Sequence, residues 1–345
     1  MSLPPIEIPL GAMRFNSDSQ KLEYFNGETW FQIHTFSPDL GVSTDAGLGP
    51  RAVHGCGLTP SGVDDVMDYS NIASQGNTVT FGNATANHEH KKGTAASTTR
   101  GVWAGGNNPG QTDSIDYVTI SQTGNAIDFG NLTSVRNTIA GCGNGIRGIF
   151  CNGHDSNSGS PYNCNIINYI NIATTGNAAD FGDTVNTARD RGGVSVPTLG
   201  FVYGGTTSSG NSNTIEKITI NTTGNAVDSG FDVAGGSGAG PTASHSGSGR
   251  CVMQGTGSSP YTIEQFNAYN MSTTYHFGDL SSGAGQSEAG SPCSPIRGLF
   301  TICGSYANTI EYITIATMGN AVDFGDMSTA RTAFSSLSNA HGGLY

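Results

Sequence analysis

The sequence predicts an all-β fold: a six-bladed β-propeller over residues 50–345, closed by its C-terminal strand and preceded by a small N-terminal β-meander. Three observations carry this expectation. Residues 114–131, SIDYVTISQTGNAIDFGN, recur. Near-copies begin at Ile167, Ile215 and Ile310, and weaker ones at Met67 and Ile263, a period of about 50 residues that marks a repeat architecture. Each copy alternates β-branched or aromatic residues with others, as a strand requires. The array also starts and stops out of phase: it opens on the second strand of a unit and ends on an extra first strand, so its two ends complete one blade.

The elements follow in order. Residues 1–36 read as strand (12–16), turn (17–20), strand (22–25), an Asn26-Gly27 turn and strand (29–34). A meander this small is hardly stable alone and is expected to pack on something. Residues 37–49, with Ser37-Pro38, Gly41, Gly47 and Gly49, read as a linker. From Pro50 each unit has four short strands, A to D. Strand B is RAVHGCG from Arg51, RGVWAGG from Arg100, RGIFCNG from Arg147, LGFVYGG from Leu199, RCVMQGT from Arg250 and RGLFTICG from Arg297. Strands C and D are the recurring stretch. A Gly-Asn pair (Gly76-Asn77, Gly124-Asn125, Gly176-Asn177, Gly224-Asn225, Gly319-Asn320) is expected to form a II′-type turn between them. The fifth copy has Ser272-Thr273 there, which implies a looser turn. Strand A is a short segment such as 136–144 or 331–339, and 331–339 is expected to pair with residues 52–57.

Two resemblances sit on these residues. GAMRFNSDSQKLEYFNGETW, with Arg14-Phe15-Asn16, Leu22-Glu23, Asn26-Gly27 and Trp30, resembles a short module near the N-termini of tailed-phage fibre and virion proteins. The glycine-ended strand B and the Glu/Asp-x-Tyr of strand C resemble kelch repeats. Phe129, Phe181 and Phe324 stand where a kelch unit carries tryptophan, so the expected fold is a divergent, six-bladed kelch-like β-propeller. The first resemblance implies a non-enzymatic virion protein, assembled in the host cytoplasm. Residues 1–36 would bind other virion proteins, and the chain would be a homo-oligomer in the particle. Two alternatives stay open: a tail-associated depolymerase acting on glycans, and an intracellular kelch-type adaptor.

Composition narrows the partners. A net charge of −12 argues against a nucleic-acid groove or an anionic membrane surface. No apolar run is long enough to span a bilayer and no signal-peptide pattern stands at the start, so membrane insertion is not expected. Seven cysteines without a C-x-x-C make neither a disulfide framework nor a zinc site; Cys56, Cys151 and Cys303 fall in predicted strands and read as buried thiols.

Chemistry is sparse. Asp116, Glu216, Glu264 and Glu311 recur at one position of strand C, which the repeat itself explains, and no pair stands out as a general acid and base. No hydrolase elbow, phosphate-binding loop or sialidase box is present, so no catalytic residue and no cofactor is assigned. His88 and His90 share one face of a strand, but zinc requires further ligands that the sequence does not identify, so no metal is assigned. The arginines that open strand B are expected to bond the next blade. Alternating strand directions put the long B–C loops and the D–A connections on one face. Arg136, Arg189, Arg191, Arg331, Lys91 and Lys92, with His88 and His90, are expected near the axis there. They form the candidate site for an anionic host-surface glycan, a receptor or a partner's acidic tip.

Overall fold

The computed structural model describes residues 8–16, 21–32, 50–160, 162–233, 244–247, 249–254, 262–281, 292–302 and 306–344. The linker reading at 37–49 lies outside them. The chain divides into two units, Met1–Gly47 and Leu48–Tyr345. It is all-β, built of small antiparallel sheets, and among the described residues the one helical element is a 3-10 turn.

In the first unit β1 (Met13–Asn16), β2 (Lys21–Phe25) and β3 (Trp30–Gln32) form a three-stranded meander. The Asn26-Gly27 turn is held by the Asn26 side chain, whose Oδ1 accepts from the Glu28 and Thr29 amides at 2.9 and 2.8 Å. Gly27 has φ +101, a conformation glycine adopts without strain.

The second unit holds six sheets in chain order. Sheet 1 has β4 (Arg51–Thr59), β5 (Gly62–Asn71) and β6 (Val79–Asn83). Sheet 2 has β7 (Gly93–Ala96), β8 (Arg100–Ala104), β9 (Ser114–Thr119) and β10 (Ile127–Asn131). Sheet 3 has β11 (Ala140–Gly143), β12 (Arg147–Cys151), β13 (Cys164–Asn171) and β14 (Ala179–Ala188). Sheet 4 begins with β15 (Gly192–Ser195) and β16 (Leu199–Tyr203). A small ribbon, β17 (Thr206–Thr207) and β18 (Gly210–Asn211), follows before β19 (Thr214–Thr219) and β20 (Val227–Asp232) complete that sheet. Sheet 5 has β21 (Ser244–Gly247), β22 (Arg250–Gln254), β23 (Thr262–Asn267) and β24 (Tyr275–Asp279). Sheet 6 has β25 (Arg297–Thr301), β26 (Thr309–Thr314) and β27 (Val322–Asp326). The last strand, β28 (Ser335–Ser338), returns to sheet 1: Ser335 pairs with Gly55 and Ser338 with Ala52. Residues 331–339 therefore meet the strand expected of them.

Apolar alternation places the core between sheets. Val53, Met67 and Phe81 of sheet 1 pack with Trp103 and Val118 of sheet 2. Corresponding clusters join sheets 2 and 3, 3 and 4, 4 and 5, and 5 and 6. A further cluster joins Leu299, Ile310 and Phe324 of sheet 6 to Ala52 and Ile72 of sheet 1, so the sequence of packed pairs returns to its start. Within a sheet the strand-D phenylalanine meets the strand-C tyrosine edge to face, as in Tyr117–Phe129 at 5.9 Å. The arginines opening strand B reach the next sheet. Arg51, Arg100 and Arg147 donate to the carbonyls of Ile120, Ile172 and Ile220 at 3.0, 2.8 and 3.1 Å. Arg250 reaches Ile315, and Arg297 of sheet 6 reaches Ile72 of sheet 1. Four of them also lie over their own sheet's tyrosine, Arg51 at 4.3 Å from the Tyr69 ring centre.

The Gly-Asn pairs do not make the C–D turn. The chain reverses earlier, where the Gln122 amide donates to Thr119 O at 3.1 Å. Gly124, Asn125 and Ala126 instead run along strand D of the preceding sheet. The Gly124 and Ala126 amides donate to Phe81 O and Asn83 O, both at 2.8 Å, and Asn125 Oδ1 accepts from the Asn83 amide at 3.1 Å. The same three bonds recur at Gly176, Gly224 and Gly319, and Gly76 of sheet 1 makes them with Phe324 and Asp326 of sheet 6. The receiving strand is F-G-N or F-G-D because its glycine lies under the donor's backbone: a Cβ on Gly82 would press into the Gly124 carbonyl. At the junction of sheets 4 and 5 both partners depart together. The receiver reads SGFD, the donor reads Ser272-Thr273-Thr274, and a Thr274 Oγ1 bond to Asp232 O at 3.1 Å stands in for the clasp.

Candidate functional site

Among the described residues, the D–A connections entering sheets 1, 2, 3, 4 and 6 close around one strand-C side chain, an acid in all but sheet 3. Asp116 is 2.8 Å from Lys91 Nζ and accepts from Thr85 Oγ1 at 2.7 Å. Glu216 accepts from Arg191 at 2.7 Å and from the Val185 amide at 2.8 Å. Asp68 accepts from Arg331 at 2.9 Å and Ser328 Oγ at 2.6 Å, and Glu311 accepts from Ser281. In sheet 3 the acid is replaced by Asn168, whose Oδ1 takes Arg136 Nη2 at 2.6 Å and Thr133 Oγ1 at 2.9 Å. Asp116, Glu216, Glu264 and Glu311 are all buried.

This geometry corrects the expected cationic face. Lys91, Arg136, Arg191 and Arg331 are 0–2% exposed and bonded within the protein. Arg136 donates to Asn152 O and Ile166 O, and Arg331 to Val66 O, besides their strand-C partners. In three repeats the cation compensates the strand-C acid beside it, Lys91 with Asp116, Arg191 with Glu216 and Arg331 with Asp68, because a buried carboxylate needs a counter-charge. His88 is buried, and burial followed by the Lys91 charge pushes it down to about 4. Lys92 is 9% exposed and lies 3.7 Å from Asp190. Of the eight expected residues, Arg189 and His90 are the ones with substantially exposed side chains, at 37% and 30%. Among the described residues no three His, Cys, Asp or Glu side chains come together as metal ligands.

What stands at this end of the strands is a polar, hydrogen-bonded loop layer. His90, Thr138, Asp190 and Ala333 occupy equivalent positions and all have φ between +51 and +56. Their backbones bond in series: His90 N to Ala333 O at 2.8 Å, Thr138 N to His90 O and Asp190 N to Thr138 O at 3.2 Å. Four non-glycine residues in the left-handed region, each disfavoured by about 1–2 kcal/mol, persist because this relay fixes them. The B–C loops are tied in as well: Asn137 pairs with His154, Arg189 with Thr206, and Asn163 Nδ2 donates to Thr206 O at 3.1 Å.

On that layer the loops of sheets 2 and 3 meet at one patch. Gln111 Nε2 lies 2.6 Å from His154 Nδ1, and Gln111 Oε1 accepts from the Ser156 amide at 2.8 Å. Nδ1 thus acts as the acceptor, which leaves the His154 proton on Nε2. The His154 ring is 5.5 Å from that of Tyr162, which is 42% exposed. Burial, then the Arg189 charge, lowers the His154 pKa against the pull of Asp155. The patch therefore offers an exposed aromatic ring, a neutral imidazole, an amide and a nearby guanidinium. Sequence reading placed these long loops on this face but did not single out Gln111, His154 or Tyr162. The loops differ between repeats, and only their packing brings these residues together. No family model and no curated protein matches the sequence.

Proposed function

We propose that the six sheets are the blades of a closed, kelch-like β-propeller, and that the chain is a non-enzymatic virion component presenting that propeller to a host-surface glycan or a neighbouring protein. Closure is supported by three contacts between sheets 6 and 1, the apolar cluster, the Arg297 bond and the Gly76 clasp, and by the pairing of the last strand β28 with β4 in sheet 1. The virion assignment rests on the resemblance of GAMRFNSDSQKLEYFNGETW to the phage module, which would mount the chain on other virion proteins. A binding rather than catalytic role is supported by the strand-C carboxylates, buried and engaged as the hubs of loop closure.

The observation that carries the binding face is the patch of Tyr162, His154, Gln111 and Arg189 on a loop layer held by its own hydrogen bonds. An aromatic face beside amide and guanidinium donors suits a saccharide ring or a polar peptide segment. Two measurements test the reading. Mass spectrometry of purified particles is expected to find this chain at a fixed copy number, and its absence from particles would overturn the virion assignment. Replacing Tyr162 with Ala and Arg189 with Glu is expected to reduce attachment to host cells at least tenfold, with wild-type attachment weakening as salt is added. Attachment unaffected by both changes would place the functional surface elsewhere.

A further inference from the structure

The N-terminal meander has two unlike faces. Register sets them: Met13 pairs with Tyr24, Phe15 with Leu22, and Tyr24 with Phe31, so these five side chains share one face. All five are exposed, from 37% for Leu22 to 65% for Phe15. On the other face Arg14 donates to Glu23 at 2.8 Å and lies 4.1 Å over the Trp30 ring, and Asn16 donates to Glu23 at 3.0 Å. Glu23 is only 4% exposed there. Glu23 is covered and both charged groups are internally bonded, while the five apolar side chains of the first face are exposed.

We propose that this face is an interface between two copies of the chain, packed sheet on sheet about a two-fold axis. Three observations select a second copy as the occupant. A single three-stranded sheet is at the margin of stability, and two of them face to face make a minimal sandwich of six strands around one core. The area suffices: five large side chains about half exposed present roughly 500 Å² per copy, so the pair removes about 1,000 Å², the lower bound of a specific interface. Charge points the same way. The chain carries −12, so two copies repel over most of their surfaces, but the five side chains of this face carry no charge and let like meet like without an ionic penalty. The inference stands on the meander alone and does not depend on the function proposed above.

The test uses the full chain. Sedimentation equilibrium is expected to give twice the 35.5 kDa chain mass at micromolar concentration. Phe15→Glu with Phe31→Glu is expected to weaken association at least 100-fold and leave the main melting transition of residues 48–345 in place. Tyr24→Cys under mild oxidation is expected to give a covalent dimer, whereas Asn16→Cys, on the opposite face, is not. A wild-type chain that stays at 35.5 kDa at tens of micromolar overturns the proposal, because the face is then covered within its own chain or left for a different protein. So does a dimer that survives the double charge substitution, or a Tyr24→Cys chain that forms no covalent dimer.

Discussion

Replacing Gly82 with alanine tests the clasp between sheets, and its outcome can be worked from the structure. A Cβ at Gly82 would lie closer than 3.0 Å to the carbonyl carbon and oxygen of Gly124, a separation real Cβ atoms do not show, with Asn125 N at 3.0 Å as well. The obstructing atoms are backbone, so relief requires the whole 124–126 segment to move off β6. Three bonds would go with it: Gly124 N to Phe81 O, Ala126 N to Asn83 O, and Asn83 N to Asn125 Oδ1. At about 0.5–1.5 kcal/mol each, their loss amounts to about 2–4 kcal/mol. Gly110→Ala is the internal control, because a Cβ there meets nothing within 4 Å and its backbone lies outside the positive-φ region. It is expected to cost less than about 1 kcal/mol. Urea unfolding of the two variants measures the difference directly. Equal stability of the two would refute the clasp and return the Gly-Asn pair to an ordinary turn.

Three further outcomes follow from the buried charges. Glu216→Gln leaves Arg191 buried without a counter-charge and is expected to destabilise by about 3–5 kcal/mol, read from the urea midpoint. Asn168→Asp should do the reverse: it gives Arg136 a carboxylate and removes Asn168 Nδ2, a buried donor without a partner, so a gain of about 1–2 kcal/mol is expected and any loss contradicts it. Acid is expected to destabilise the fold. Burial, helped by Arg331, pushes His54 down to about 3 in the folded protein, so between pH 6.5 and 3 only the unfolded chain takes up that proton and stability falls with pH, by about 2 kcal/mol at pH 5. His54 bonds Ser336 of β28 at 2.8 Å, so calorimetry at pH 7 and 5 on wild type and His54→Asn should show a flatter pH dependence in the variant.

Sequence pattern read the strands well because each buried position faces the same neighbour in every repeat. The strand-B arginines and the pairing of 331–339 followed from phase alone. Two readings failed for a shared reason. A Gly-Asn pair suits a turn by its own conformational freedom, but here glycine is required by backbone approach from the next sheet, which a local motif does not reveal. The cations before strand A were read as a surface because each was weighed alone. Lys91 and Asp116 stand 25 residues apart, as do Arg191 and Glu216, and that paired recurrence was the available sign of burial. The Tyr162–His154 patch had no such sign, since nothing in the repeat sets the loop sequences.

Closure of the array by β28 can be read from native-state hydrogen exchange of that strand. A free C-terminal strand frays and exchanges at almost no free-energy cost. Closure requires the amides of Ser335–Ser338 to exchange only with global unfolding, at the same free energy as those of β8 and β12. Exchange of β28 several kcal/mol more easily than the central strands, with the rest of the protein protected, would mean that the ring is open.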